Sequence, residues 1–332
     1  MSGPVTLLVV SDIHHAAAVE RSRQGYEIAC APNWPVRQLV RAYRGCVWLR
    51  DPLGTGAFLE EFLIRSGEPD LVIANGDFNA DTRFVGVSDD AAFASAEECL
   101  GKLRARFGER LHATIGDHEL GKVSLVGGHG GLRLASWPRV TGGLGLRPFW
   151  RHEWGCHVFL GVTSTLLALP VFDREMLPGE RAEWEALRAK HVEEVRAAFA
   201  GLSPHQRVLL FCHDPTALPF LARQPEVRDR LGQIEATVIG HLHSPLVLRT
   251  GRALAGMPPI RFLGVSVRRM STALNEAKLW RSFNVRLCPS LTGIQLLKDG
   301  GWLTVKLDAD ARQPVMFRFH PLPWNAIRHG SR

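Results

Sequence analysis

Five short stretches of the chain end in side chains able to hold a cation or move a proton. They are Asp12-Ile13-His14, Gly76-Asp77, Gly116-Asp117-His118-Glu119, His213-Asp214 and Gly240-His241-Leu242-His243. Each follows a compact apolar run, such as Val5-Thr6-Leu7-Leu8-Val9-Val10 or Ala236-Thr237-Val238-Ile239. Short runs rich in Val, Leu and Ile, without alternation, read as parallel strands buried on both faces. In open α/β proteins ligands gather beyond the carboxyl ends of such strands. Residues two apart on an extended chain face the same way, so Asp12 and His14 would aim at one spot, and His241 and His243 at another. Carboxylate oxygen mixed with imidazole nitrogen suits Zn, Mn or Fe better than Mg or Ca, which prefer oxygen alone. The donors Asp12, His14, Asp77, Asp117, His213, His241 and His243 are more than one ion needs. Two ions sharing a carboxylate, about 3.5–4 Å apart, is the arrangement used to hydrolyse phosphate esters.

Helices must alternate with these strands. The apolar spacing predicts helices over Thr55–Ser66, Asp90–Phe107 and Gly179–Ala200, the last carrying His191 as a surface or packing residue. Further strands are expected at Leu146–Trp150 and His157–Thr163, then at Leu246–Arg249, Ile260–Leu263, Ser282–Cys288, Trp302–Leu307 and Val315–Phe319. The reading is α/β, with two mixed sheets between helices. One domain over residues 1–332 is expected, with irregular insertions at about 15–53 and 120–156 and a strand-rich segment at about 244–320. The glycines of the second insertion lack the Gly-Lys-Ser/Thr ending of a phosphate loop.

With 332 residues, 45% of them hydrophobic, the chain can bury a large core, and disorder is excluded. Forty basic against 33 acidic residues leave a net charge of +7, which favours anionic partners. The basic residues cluster only locally, at Arg21/Arg23, Lys102/Arg104/Arg106/Arg110 and Arg268/Arg269. Six scattered cysteines without a Cys-x-x-Cys pair read as free thiols in a reducing compartment. No secretory leader is recognisable and no run reaches the roughly 18–20 apolar residues of a membrane span. A cytoplasmic protein is the expectation.

Taken in order, Asp12-x-His14, Gly76-Asp77, Gly116-Asp117-His118-Glu119, His213 and Gly240-His241-x-His243 resemble the calcineurin-like metallophosphoesterase family, over residues 5–243. The resemblance implies a four-layer α/β/β/α sandwich holding two divalent transition-metal ions such as Mn, Fe or Zn. It implies one ion on Asp12, His14, Asp77 and His243 and another on Asp77, Asp117, His213 and His241, with Asp77 shared. A hydroxide bridging the ions would attack phosphorus. His118 would be the catalytic residue, bonding the phosphate and helping to protonate the leaving oxygen, and not a metal ligand.

The chain departs from the family at Asp117, where the usual residue is Asn. An amide offers the metal a neutral oxygen and the substrate an N–H donor; an ionised Asp offers neither. The substitution leaves open an enzyme with altered metal or substrate preference, a slow enzyme, or a scaffold that keeps its metals for structure. Asn79, His15 and Asp214 adjoin the motifs as candidate supporting residues. Arg21, Arg23, Lys122, Arg147 and Arg151 are the cations near enough in sequence to read a phosphate, a solvated basic loop being the commoner fate of each. His129, His152, His157 and His320 have no motif context.

The function expected is hydrolysis of a small or lipid-linked phosphorylated molecule, as a mono- or diesterase. A two-metal nuclease is the alternative within enzymes, less favoured because no arginine stripe or aromatic stacking series stands out. A non-catalytic metal-stabilised binding scaffold is the alternative outside them. It accounts for Asp117 and leaves His118 without a purpose.

Overall fold

The computed structural model describes residues 5–329. Among them run ten strands: β1 Val5–Val10, β2 Leu71–Asn75, β3 Leu111–Thr114, β4 Phe149–Trp154, β5 His157–Val162, β6 Arg207–Cys212, β7 Ile234–Ile239, β8 Val285–Leu287, β9 Gly301–Leu307 and β10 Met316–Pro321. They form two five-stranded sheets, in the orders β10-β9-β1-β2-β3 and β4-β5-β6-β7-β8. Both sheets are mixed. β1, β2 and β3 are parallel, with β9 antiparallel to β1 and to β10. β5 to β8 are parallel, with β4 antiparallel at the edge.

The absence of alternation in β1 has a simple cause. Leu7 and Val9 face the second sheet, in a core shared with Ile73, Phe159, Leu209, Phe211, Val238 and Val305. Leu8 and Val10 face the other way, toward Phe58, Phe62 and Leu103 on the helices Gly56–Arg65 and Asp90–Phe107. The outer face of the second sheet packs Leu160 and Leu210 against Trp184, Val195 and Phe199 of the helix Arg181–Ala200. The layers are therefore helix, sheet, sheet and helix, as the family resemblance implied. His191 lies inside this last helix, buried, where its Nε2 accepts the Thr163 N–H at 3.1 Å.

Three expectations need correction. Residues 244–276 are not strand-rich. A helix, Pro245–Ala253, replaces the strand expected at 246–249, no strand forms at 260–263, and a second helix spans Val265–Glu276. The first is started by Ser244, whose side chain accepts the Leu246 N–H, and by Pro245 at the position where a helix tolerates it best. Residues 15–53 are not irregular either. They hold the turns Ala18–Arg21 and Tyr26–Ala29 and the 13-residue helix Trp34–Cys46, capped by Asn33. The strand expected at 146–150 begins only at Phe149, after Pro148, which has no N–H to give to a ladder.

Trp150 shows how closely the sheets are fitted. Its indole N–H crosses between them to the carbonyl of Ala113 on β3, at 3.0 Å. Its ladder partner is Gly161, where a Cβ would stand 2.0 Å from the indole. Gly161→Ala is therefore expected to cost about 2–3 kcal/mol through overpacking, read as a lower urea midpoint with an altered near-ultraviolet tryptophan signal. An unchanged midpoint would show that the ring does not depend on that space.

Candidate metal centre

Every strand that carries a candidate ligand delivers it at its carboxyl end, where the two sheets open side by side. β1 runs into Asp12 and His14, β2 into Asp77 and β3 into Asp117 and His118; β6 runs into His213 and β7 into His241 and His243. The chain must turn sharply there to aim these side chains inward. Asp12, His14, Asp77, His241 and His243 all adopt left-handed backbone, with φ between 48° and 59°. Such conformations cost non-glycine residues about 1–3 kcal/mol each and persist only where surrounding structure enforces them. Glycines clear the way: a Cβ on Gly116 would lie 2.2 Å from Asp77 Oδ1, and one on Gly240 2.4 Å from Asp12 Oδ2.

The side chains that could hold an ion form three overlapping groups, each with ligand atoms within 4.8 Å of one another; His14, Asp77 and His118 make the link between the two main ones. One main group holds Asp12, His14 and His243; the other holds Asp77, Asp117, His213 and His241. The Oδ2 of Asp77 faces both, 3.1 Å from His213 Nε2 and 3.9 Å from His14 Nε2. Its Oδ1 is occupied by the His118 backbone N–H at 3.0 Å. Asp117 Oδ1 lies 3.2 Å from His213 Nε2 and 3.1 Å from His241 Nδ1, and Asp12 Oδ1 lies 3.3 Å from His243 Nε2.

These atoms converge on points rather than on one another. The Nε2 atoms of His14 and His243 stand 3.3 Å apart. Two of the ring nitrogens that face away have carbonyl partners: His213 Nδ1–H donates to Asn75 O at 2.6 Å and His14 Nδ1–H to Asn79 O at 3.3 Å. That tautomer leaves an Nε2 lone pair turned into the site. Asp77 Oδ2 and His213 Nε2 are buried without a hydrogen bond although they are neighbours, because neither is aligned with the other. Buried lone pairs without hydrogen-bond alignment, gathered around three buried carboxylates, fit divalent cations and little else. The donor set suits two.

His118 sits beside the centre. Its Nδ1–H donates to Ala80 O at 3.1 Å, and its Nε2 points toward Asp77 Oδ2 at 3.8 Å. Burial, and then the Lys122 ammonium, hold its pKa well below that of a free imidazole. For Asp117, burial pushes the carboxyl up, but Lys122 first and then His241 outweigh it and keep it well below the usual range. His213 is pulled down by burial and raised more strongly by Asp77 and Asp12, to well above its ordinary value.

The supporting residues were only partly foreseeable. Asp214 faces His241, with its Oδ2 3.7 Å from Nε2, rather than His213. Asn79 is buried and donates to His118 O and to Glu119 Oε1. His15 turns away to Glu98, 3.1 Å off. Glu119, given no role from sequence, joins the two acidic turns. Its Oε2 accepts the N–H groups of Asp77 and Gly116 and its Oε1 those of Phe78 and the Asn79 amide, all at 2.8–3.1 Å. Burial, and then Asp77, push its carboxyl up to about 7. Trp48 was also missed; its ring packs against His243 with centroids 4.9 Å apart. Of the candidate phosphate readers only Lys122 pairs with a candidate ligand, its Nζ standing 3.1 Å from Asp117 Oδ2. Arg23 is taken by Asp89 and Arg151 by Glu153.

No family model and no curated protein matches the chain. Its structure is similar to that of a dimetal phosphatase from Danio rerio, at 14% identity and a TM-score of 0.49, with 96% of each chain covered. It is also similar to a purple acid phosphatase from yellow lupin (Lupinus luteus) seeds, at 10% identity and a TM-score of 0.43, covering 97% of this chain and 52% of that one. A third is the anchor in the inner membrane complex of Plasmodium, at 9% identity and a TM-score of 0.44, covering 96% and 84%. None of these likenesses carries a ligand or a substrate over to this chain.

Glu119→Gln keeps the shape but turns an amide N–H₂ toward backbone donors, so a loss of about 2–3 kcal/mol is expected in urea unfolding. Stability within about 0.5 kcal/mol of the parent would mean that Glu119 does not join the turns. Manganese at about 100 times its dissociation constant should stabilise the protein by about 2.7 kcal/mol per site, a gain that Asp77→Ala removes. Equal midpoints with manganese and with chelator would count against a cation site.

Proposed function

We propose that the chain is a phosphoesterase of the calcineurin-like kind, one domain over residues 1–332, working with two divalent transition-metal ions. The observation that carries this reading is the convergence of seven donors from the carboxyl ends of both sheets into two groups, with one Asp77 oxygen facing both. Asp12, His14, Asp77 and His243 would hold one ion, and Asp77, Asp117, His213 and His241 the other. Ions bound there lower the pKa of a water molecule and neutralise phosphoryl charge.

The protein's own part is to place groups around the phosphorus. His14 is held as a neutral ligand by its Nδ1–H bond to Asn79 O, whereas His213, raised by Asp77 and Asp12, would give up its Nε2 proton when an ion binds. His118 is held as His14 is, here by Ala80, and leaves Nε2 free toward the site. An arriving phosphate brings negative charge, which favours the protonated ring and reverses the effect of burial. His118 then holds a proton at Nε2 beside the phosphate and can pass it to the leaving oxygen. Trp48 covers the outer side of His243 and limits water there.

Several observations support a small phosphorylated molecule, free or lipid-linked, over nucleic acid. Several cations of the basic clusters are paired with acids of the same chain, Lys102 with Glu60 and Glu98, Arg106 and Arg110 with Glu68, and Arg269 with the buried Glu175. A backbone-tracking groove needs such cations free. A non-catalytic scaffold would have no use for His118 in its present place. No helix among the described residues is long and apolar enough to cross a membrane. A cytoplasmic setting is part of the proposal, in keeping with six free thiols.

The test is metal analysis joined to turnover of p-nitrophenyl phosphate and bis-p-nitrophenyl phosphate with Mn, Ni, Zn and Fe. Turnover is expected with at least one metal, and His118→Ala should lower kcat by about 10²–10³ while the metal content is unchanged. A fully metallated protein that turns over neither ester would transfer the case to the scaffold.

A further inference from the structure

We infer that Lys122 grips a non-bridging oxygen of the substrate phosphate, and that Asp117 and Lys122 act as one unit in the place of a neutral amide, favouring phosphomonoesters. This rests on the phosphoesterase reading and goes beyond it. The two oxygens of Asp117 are divided in use. Oδ1 faces His213 and His241, at 3.2 and 3.1 Å, and Oδ2 faces Lys122 Nζ at 3.1 Å. An amide in the same orientation would put a neutral oxygen toward the histidines and its N–H₂ where Oδ2 now lies. The carboxylate replaces that donor by an acceptor and adds a full negative charge beside an anionic substrate.

Lys122 reverses both effects. Its charge offsets that of Asp117, and its ammonium stands one hydrogen-bond length beyond Oδ2, so a cationic donor is restored. An ammonium has three N–H groups, and among the described residues Asp117 is the only ion-pair partner of this one, at 3.1 Å, which leaves donors for a ligand. The lysine side chain is 20% exposed, against 2% for Asp117, so the pair is reached from solvent on the lysine's side.

The chain is built to hold it there. The short helical turn Asp117–Leu120 ends at Gly121, with φ 96°, where a Cβ would lie 2.5 Å from Gly131 O. The chain therefore turns back over its own first residue and brings position 122 above position 117. A further acid that Lys122 acts on, Glu175, is spent: it accepts the Val123 N–H at 3.0 Å and two bonds from Arg269 at 2.8 and 2.9 Å. Lys122 is left to Asp117. A monoester phosphate has three non-bridging oxygens and a diester two, so a cation beyond the ligand groups rewards the monoester.

The experiment uses the manganese-loaded protein and inorganic phosphate as probe, with binding read by calorimetry beside metal content. Lys122→Met should weaken phosphate binding about tenfold or more, the value of one bond to a charged group, with metal content unchanged. Its kcat/KM should fall about tenfold or more on p-nitrophenyl phosphate and less than about threefold on bis-p-nitrophenyl phosphate. Adding Asp117→Asn to Lys122→Met should recover part of the phosphate affinity, and Lys122→Arg should retain more than Lys122→Met. If Lys122→Met fails to fold, Lys122→Gln is read in the same way. Phosphate binding within about twofold of the parent, equal losses on both esters, or independent effects in the double variant would each overturn the role of Lys122. A parent protein that takes up no divalent ion defeats the phosphoesterase reading instead, before any variant is measured.

Discussion

Three carboxylates, Asp12, Asp77 and Asp117, are held around the same His213 imidazole, within 4.0 Å of its Nε2, and almost wholly out of water. Like charges at that spacing in a weakly screening medium repel strongly, and a chain free to move would separate or protonate them. The rest of the structure can be understood as what prevents this. The left-handed turns aim the side chains inward. Gly116 and Gly240 let the turns approach more closely than a Cβ would allow. Glu119 ties the Asp77 and Asp117 turns through their backbone N–H groups. Four histidines and Lys122 supply the surrounding positive or neutral counterweight. Behind all of these lies the inter-sheet core, which gives the turns a rigid base.

The strand ends were legible because an apolar run that stops at an acid or an imidazole is an abrupt event, and abrupt events survive translation into three dimensions. The donors Asp12, His14, Asp77, Asp117, His213, His241 and His243 do meet. What was not legible depends on which turn lies over which. Lys122 was one of five cations near motifs, and only the fold-back after Gly121 singles it out. Glu119 stood inside a quoted motif, yet its work consists of bonds to backbone groups that spacing does not display. Trp48 reaches His243 across most of the chain's length. The misread segment 244–263 failed for a different reason. Short apolar stretches suit a strand or one face of a helix equally well, and the cap signals at Asn33 and at Ser244-Pro245 were the evidence that should have decided it.

The basic character of the chain also changes meaning in the structure. A net charge of +7 invites a search for an anionic surface partner. Part of the basic side-chain population is instead paired within the chain, at Asp89, Glu68, Glu175 and Glu226. The cation placed beside the donors is Lys122, and it is there because residue 117 is an acid. Net charge therefore says less about what this protein meets than one ion pair beside the donor groups.

Each donor group draws on both sheets: Asp12 and His14 join His243, and Asp77 and Asp117 join His213 and His241. An ion bound to either group would be a cross-link between chain segments far apart in sequence, 229 residues in the case of His14 and His243. Such a contact carries a large loop-closure cost and belongs late in assembly. During synthesis from the N-terminus the first sheet's ligands emerge early, but the second group is incomplete until residue 241 and the first until residue 243. A half-made chain thus carries three acids and His14 without the second sheet's three imidazoles to close over them. Ion capture would then follow, not guide, the docking of one sheet on the other.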